Sequence, residues 1–529
     1  ISFKALGAGQ EVGRSCVIVR IKDVKIMFDC GVHMAYNDHR KFPDFKKILE
    51  VGKPRNNYNN TNKDKYYNKN SNSKNKKDNE YNAMYSNLSN SNENIDYTNN
   101  LDLVIITHFH LDHVGALPYF TEICGYNGPI LTSQPTKAIL PLTLEDFRKI
   151  ISDYRGEKSP LSSLQVTNCV SKIDTIEIGE TKIIKNRIKV TPYYAGHVLG
   201  AGMYHIEVDG HTVVYTGDYN TLTDRHLSAA YIPKIYPDVF ITETTYGDTV
   251  RDTKRVRERE FLKKIQSVLE RGGKVLIPTF ALGRAQELCI LLDTHWRRTN
   301  CKIPIYFAGN MAEKANFYYK IFTNWTNNAV KNIFLEHNVF DFSFVKHGDK
   351  SVMKANTPMV IFATPGMIHG GLSLQIFKDI APDEKNCVII PGYCTTGTVG
   401  NKILNGERVI EIDKQNIEVK CDVYYMSFSA HADAKGILSL VKNASPKNLV
   451  LVHGDVEVMK KFQKTVQDVL NINTYMPPNL EEIPFERVLF YNQIDISKNL
   501  YDYLNFMLNT TKNNIMNENV KNLRSDFNK

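Results

Sequence analysis

With 529 residues, 42% of them hydrophobic and 23% charged, the chain has the apolar content of a globular protein with a sizeable core, which excludes a wholly disordered or fibrous one. No apolar run is long enough to cross a bilayer, and the first residues (ISFKALGAGQEVG) lack the basic start and apolar centre of a signal peptide, so a soluble intracellular protein is expected. Nine cysteines without a Cys-x-x-Cys pair argue against a disulfide framework or a thiolate zinc site, and the net charge of +9, much of it in Asn-rich segments, is only weak evidence for a nucleic-acid partner.

Residues 1–31 alternate apolar and polar through SCVIVRI and VKIMFDCG, which reads as strands ending at Asp29. Gly7, Gly9 and Gly13 lack the G-x-G-x-x-G spacing and lead into a strand, so a dinucleotide loop fails on context. Asp29 is either a turn former or a group that orients a ligand, and from local sequence the turn reading leads. Residues 53–100, dominated by Asn, Lys, Ser and Tyr, cannot bury enough apolar surface to offset their ordering entropy. They read as a disordered surface insertion, with contact to RNA through the lysines as the lesser alternative.

The stretch VIITHFHLDHVG then stops a β-branched run at His108, His110, Asp112 and His113. Four potential ligands within six residues of a strand end have no common structural role, and they predict a metal site. His108 and His110, two apart, can grip one ion from extended backbone, while Asp112 and His113 reach toward a second. One cluster cannot fill two shells, so further ligands are expected at later strand ends. The strand Ile188–Tyr194 delivers His197 in AGHVLGAGM, His211–Tyr215 delivers Asp218 in TGDYN, and Val239–Thr242 delivers Glu243 in ETTYG.

From about Asp248 the pattern changes. A charged amphipathic helix over Val256–Arg271 precedes GGKVLIPTFALGRAQELCILL, a strand, glycine turn and helix, and later strands at Ile303–Phe307, Met359–Ala363 and Cys387–Pro391 imply a parallel α/β unit. Gly283 and Arg284 at the helix start suit a phosphate and a purely structural turn about equally. Beyond Met426, SFSAHAD places His431 before a helix, and the strand Leu449–Val452 ends at His453.

These motifs resemble the metallo-β-lactamase superfamily and, within it, the β-CASP branch of nucleic-acid-processing enzymes. Asp29 fits the first family motif, His108, His110, Asp112 and His113 the second, His197 the third and Asp218 the fourth, while Glu243, His431 and His453 fit the three motifs of the branch. The stretches NDHRKFPDF, HFHLDHVGALPYFTE, GYNGPILTSQPTKAILPLTLEDFRKI, AGHVLGAGMYHIEV, GRAQELCILL and MSFSAHADAKGI are similar to Integrator-type endonuclease subunits first and to the cleavage-and-polyadenylation type second.

The resemblance implies an α/β architecture: a four-layer αββα metallo-β-lactamase fold over 1–247 and 430–495, a parallel α/β β-CASP domain inserted at 248–429, and a tail at 496–529. It implies two zinc ions, one held by His108, His110 and His197, the other by Asp112, His113 and His453, with Asp218 bridging and Asp29 behind the ligands. Two ions ~3.5–4 Å apart lower the pKa of a shared water toward ~7 and stabilise charged oxygens. His431, oriented by Glu243, is then the candidate acid for the leaving oxygen. The same resemblance implies an endoribonuclease of nuclear RNA 3′-end processing with an inactive β-CASP paralogue as partner. His at the last motif favours RNA over DNA. A small-molecule hydrolase would not need the inserted domain, and a non-catalytic RNA-binding scaffold would be expected to lack ligands, none of which is missing here.

Overall fold

The computed structural model describes residues 1–36, 38–52, 95–149, 161–280, 282–308, 311–334, 338–348 and 353–486. Two seven-stranded sheets form the first part of the fold. One takes β1 (Ser2–Gly7), β2 (Cys16–Ile21), β3 (Val24–Phe28), β4 (Leu103–Ile105), β5 (Ile130–Thr132) and β6 (Ile173–Thr175), with β22 (Glu482–Pro484) outside β1. The other is ordered β21-β20-β11-β10-β9-β8-β7, from β7 (Lys182–Ile184), β8 (Ile188–Tyr194), β9 (Gly202–Val208), β10 (His211–Tyr215) and β11 (Val239–Glu243) to β20 (Asn448–Val452) and β21 (Asn473–Tyr475).

Period-two alternation decides how these sheets pack. Phe3, Val17, Val19 and Ile26 from the first sheet and Val190, Ile206, Val213, Ile241 and Val450 from the second share one buried cluster, so the two sheets lie face to face. Their neighbours in sequence, Ile18, Met27 and Val104 on one sheet and Val214, Phe240 and Leu451 on the other, point outward instead. They join Ile139 and Leu140 of the helix Gln134–Lys149, Ile437 and Val441 of Ala434–Ala444, and Met459 and Phe462 of Val456–Leu470. Helix, sheet, sheet and helix are therefore stacked as four layers, the architecture that the family resemblance implies.

The chain leaves this sandwich after β11 and re-enters it at β20, and those two strands are parallel neighbours with Glu243 paired to Val452. Between them a six-stranded sheet of order β14-β13-β15-β12-β16-β19 is built from β12 (Lys274–Pro278), β13 (Ile305–Ala308), β14 (Val345–Gly348), β15 (Met359–Ala363), β16 (Cys387–Ile390) and β19 (Asp422–Tyr425), with a separate hairpin of β17 (Val409–Ile412) and β18 (Gln415–Glu418). Its pairings are all parallel. Both faces are covered: Val275, Ile277 and Phe362 lie in one apolar cluster, Leu276, Ile361 and Val388 in another. That double burial is why these strands read as continuous apolar runs.

Element boundaries move modestly from the sequence expectations. The β-branched run before His108 forms a strand only over Leu103–Ile105, and the Thr107 amide donates to the Asp29 carboxylate instead of a ladder partner. The helix expected at Val256–Arg271 runs Lys254–Glu270. The proposed insertion lies outside the described residues over 53–94, its last residues forming a short helix at Tyr97–Asn100, and the 496–529 tail lies outside them entirely.

Candidate metal centre

Each ligand candidate is delivered by the end of a strand, and the sheet register brings the ends together. Strand β4 lies parallel to β3, so Asp29, one residue past β3, meets Thr107, two residues past β4 and next to His108. The loop carrying Asp112 and His113 is fixed by its own carbonyls, which accept from Ser15 (2.7 Å), Cys30 (2.7 Å) and Val32 (2.9 Å). Gly31 allows that close approach: a Cβ there would overlap the Asp112 carbonyl oxygen. Gly31→Ala is therefore expected to cost ~1–3 kcal/mol of stability through overpacking and to lower metal content, read by thermal melting and by metal analysis of the same sample. His453 follows β20 in a left-handed turn (φ 52°), its amide donating to Ala8 and its carbonyl accepting from Thr244.

The result is two convergent groups. Around His110 Nδ1 stand His108 Nε2 at 3.1 Å and His197 Nε2 at 3.1 Å, and each of those two Nε2 atoms is 3.7 Å from Asp218 Oδ2. In the second group His453 Nε2 and His113 Nε2 lie 3.4 and 3.7 Å from Asp112 Oδ2, and His113 Nε2 is 3.2 Å from Asp218 Oδ2. Asp218 thus touches both. These are the same residues that the geometry groups as potential metal ligands, together with Glu243 beside Asp218 and His453.

The hydrogen-bond network assigns the tautomers. His197 Nδ1 donates to the Ala430 carbonyl at 2.9 Å. His108 Nδ1 faces Thr107 Oγ1 at 3.0 Å, and because that hydroxyl gives its proton to Asp29 it can only accept from the histidine. The Thr245 hydroxyl donates to Glu243 Oε2 and accepts from His453 Nδ1, while His113 Nδ1 donates to Asp29 Oδ2 at 2.7 Å. The Nε2 atoms of these four rings are left pointing inward, those of His108 and His197 crowded against His110 Nδ1 and that of His113 3.4 Å from Ser15 Oγ. Asp218 Oδ1 is also buried without a hydrogen-bond partner. Tetrahedral coordination at ~2.0–2.1 Å sets ligand nitrogens ~3.3 Å apart, close to the 3.1 Å found around His110. A cation resolves this crowding of lone pairs, so the donor set fits a metal.

Protonation differs between the two groups. Burial holds His108 and His197 well below the ordinary imidazole value and brings His110 down to about 4, so all three are neutral at pH 7 and lose no proton on ligating. Burial would lower His113 too, but the carboxylates of Asp218, Asp29 and Asp112 outweigh it and raise its pKa well above the usual range. Asp112 and Asp218 are held low despite burial, by His113 first and then His453. One group is a set of neutral donors, the other an internal ion pair whose proton a cation would displace.

Beside this centre His431 presents Nδ1 to Glu243 Oε2 at 2.7 Å, and Glu243 Oε1 accepts from the Tyr219 amide. The bridging position of Glu243 between His431 and Thr245 links the histidine to the ligand His453. Arg251 Nη1 donates to the carbonyls of His431 (2.7 Å) and Ser429 (3.2 Å), with its guanidinium 4.4 Å over the Tyr246 ring. Asp29 sits in a left-handed turn (φ 60°) and also accepts from Thr107, His113 and Tyr215, so both roles open from sequence fall on one residue.

The two positions open between a phosphate site and a structural turn make contacts within the chain. Arg284 pairs with Asp224 and its side chain is 14% exposed, while the Gly283 amide is taken by Gln286 Oε1 at 2.8 Å. Gly283 (φ 96°) occupies a left-handed turn that glycine permits, and Arg284 Nε is buried without a hydrogen-bond partner. Sequence reading missed Thr107, Thr245, Arg251 and the Ala430 carbonyl. The threonines had a signal, since each lies within two residues of a candidate ligand or Glu243 at a strand end; Arg251 and a backbone carbonyl had none.

Three family models match the chain: a metallo-beta-lactamase superfamily domain over residues 76–238, a Beta-Casp domain over 285–403, and a Zn-dependent metallo-hydrolase RNA specificity domain over 416–477. Integrator complex subunit 11 of Gallus gallus is 49% identical over 482 residues, covering 91% of this chain and 73% of that one. The Integrator complex subunit 11 homolog of Dictyostelium discoideum is 47% identical, covering 94% and 63%. Cleavage and polyadenylation specificity factor subunit 3-II of Arabidopsis thaliana is 44% identical, covering 92% and 72%.

Proposed function

The chain belongs to the metallo-β-lactamase superfamily and to its Beta-Casp branch, and from that premise we propose that it is a zinc-dependent endoribonuclease of nuclear RNA 3′-end processing, of the Integrator type. The observation that carries the reading is the convergence on Asp218 of two ligand groups and of the His431–Glu243 pair. A hydrolase that only bound and activated a water would need the first two. The third is an acid poised for a leaving oxygen.

His108, His110 and His197 would hold one zinc, Asp112, His113 and His453 the other, with Asp218 shared. When bound, two such ions supply positive charge for the attacking and leaving oxygens of an in-line displacement at phosphorus. The chain's own groups do the rest. Asp29, Thr107, Thr245 and Ala430 fix the imidazole tautomers, a task whose loss typically costs ~10–100-fold in metal affinity or activity. Glu243 holds His431 with Nδ1–H toward itself, leaving Nε2 as the proton carrier to the leaving oxygen. The RNA specificity domain model spans both His431 and His453, which supports RNA over DNA. The inserted domain is taken as 248–429, and the partners as an inactive β-CASP paralogue and other subunits of a nuclear 3′-end-processing complex.

The test is to incubate the zinc-loaded protein with end-labelled RNA and DNA, with and without a chelator. Internal cuts confined to RNA and abolished by chelation are expected, with two zinc ions per chain by metal analysis. RNA bound but never cut in the presence of zinc and of the paralogue would overturn the reading. One ion per chain in an active preparation would overturn the two-metal assignment alone.

A further inference from the structure

The parallel sheet β14-β13-β15-β12-β16-β19 meets the metal centre with the carboxyl ends of its strands, the edge where parallel α/β sheets receive ligands. Past β12, Phe280 lies with its ring 5.8 Å from that of His110. Past β16, Tyr393 reaches Asp455, two residues from His453, at 3.5 Å. Past β19, the Ala430 carbonyl accepts from His197. The three loops that follow β12, β15 and β16 (TFALG, TPGMIHGG and PGYCTTGTVG) contain no lysine, arginine, aspartate or glutamate. The first charged residue after TFALG, Arg284, is neutralised by Asp224.

A wall without lysine or arginine offers a phosphate backbone amides, hydroxyls and the His369 ring, but no fixed positive charge. What it does offer is one aromatic face. Phe280 is 45% exposed, and among the described residues of these loops it is the one large apolar side chain that stands open to solvent. Its loop is held firmly: the Thr279 amide donates to Ala363 at 2.9 Å, and Gly366 packs against the backbone of Thr279 and Phe280. Leaving a phenylalanine half-exposed forfeits burial that the adjoining cores could supply, and the ring lies tilted at 36° beside His110. Single strands are held at such sites by stacking of bases on aromatic rings.

We propose that Phe280 is the platform on which a base flanking the scissile phosphate of single-stranded RNA stacks, which sets how the strand is registered across the metals. The proposal rests on the endoribonuclease reading. It divides the labour at the centre: the metal ligands and His431 act on the phosphodiester, and the uncharged wall of the inserted sheet positions the nucleobase.

The test measures binding and cleavage of the same RNAs by the zinc-loaded native protein and by Phe280→Ala, Phe280→Leu and Phe280→Trp, with one abasic nucleotide walked through the positions around the cut. Phe280→Ala is expected to weaken binding of unmodified RNA about tenfold, while Phe280→Trp holds it near native. At one position the abasic RNA should lose the same factor with native protein, and there Phe280→Ala should cost nothing further. Phe280→Leu keeps apolar bulk over His110 and should behave like the alanine variant; native-like binding by it overturns the stacking role. Losses that multiply at every abasic position, or unchanged binding by Phe280→Ala, overturn the proposal as well. RNA cleavage without a Phe280-dependent base effect leaves the endonuclease reading standing and removes the platform. A base effect on binding without cleavage does the reverse, and absence of RNA binding overturns both.

Discussion

His431→Ala is expected to lower kcat by ~10²–10⁴-fold while metal content and KM stay close to native, because the imidazole sits beside the ligands without being one of them. Its Nδ1 is committed to Glu243 Oε2 at 2.7 Å and is 3.9 Å from Asp218 Oδ2, so it stands at the edge of the ligand cluster. Its side chain is 16% exposed, against 4% or less for His108, His113, His197 and His453. Of these histidines it is the one with room for a substrate atom. The ring is also braced, 4.7 Å from that of His197 and 6.1 Å from that of His453, with its carbonyl held by Arg251.

The discriminating measurement uses RNA in which the leaving oxygen is replaced by sulfur. A thiolate departs without a proton, so the defect of His431→Ala should shrink to within about tenfold of native on that substrate. A defect of equal size on both substrates would assign His431 a purely structural role. Glu243→Gln keeps an acceptor that orients the His431 ring but removes the carboxylate charge, so a smaller loss in kcat is expected from it. Loss of zinc from that variant would instead indicate that Glu243 works through Thr245 and His453.

Much of this centre is legible in the sequence because its candidate ligands punctuate strands. His108, Asp218, Glu243 and His453 each follow a short β-branched run, and a polar residue at such a boundary lies at the sheet edge wherever the strand ends up. The layers are legible for the same reason, since the alternation that sends Val17 and Val19 inward and Ile18 outward is local. What the pattern does not carry is pairing at a distance. Thr245 and His453 are 208 positions apart, and only the parallel register of β11 with β20 joins them. Nor does it carry partners without chemical identity, such as the Ala430 carbonyl that orients His197. The pairing of Arg284 with Asp224 is illegible for the related reason that its partner belongs to a remote loop.

The tie between that loop and the inserted domain should be the most stability-sensitive point outside the metals. Glu287, on the helix Arg284–Thr299, is buried and accepts from the Arg225 amide at 2.7 Å, from His226 Nδ1 at 3.1 Å and from Lys254 at 2.9 Å. Arg225 in turn pairs with Glu258, and His226 is fully buried. Glu287→Ala removes the acceptor and leaves a buried imidazole and an amide without partners, so a loss of ~3–5 kcal/mol in unfolding free energy is expected in urea titrations. Glu287→Gln keeps an acceptor and should lose less, ~1–3 kcal/mol. The pH dependence follows from the carboxyl. Burial alone would raise its pKa, but the His226 hydrogen bond, then the charges of His226, Lys254 and Arg284, hold it well below the ordinary 4.5. A group whose folded pKa is depressed stabilises fully above its unfolded value and loses that contribution as pH falls through the folded one. The stability gap between native protein and Glu287→Gln should therefore be constant above pH 4.5 and narrow below it; a gap that widens on acidification would overturn the assignment. Because Asp224 and His226 also anchor Arg284 and the amide of Asn327, loosening Glu287 should release the inserted sheet from the edge where Phe280 and Ala430 meet the ligands. Zinc affinity should then fall in parallel with stability, although Glu287 is not among the metal-ligating groups.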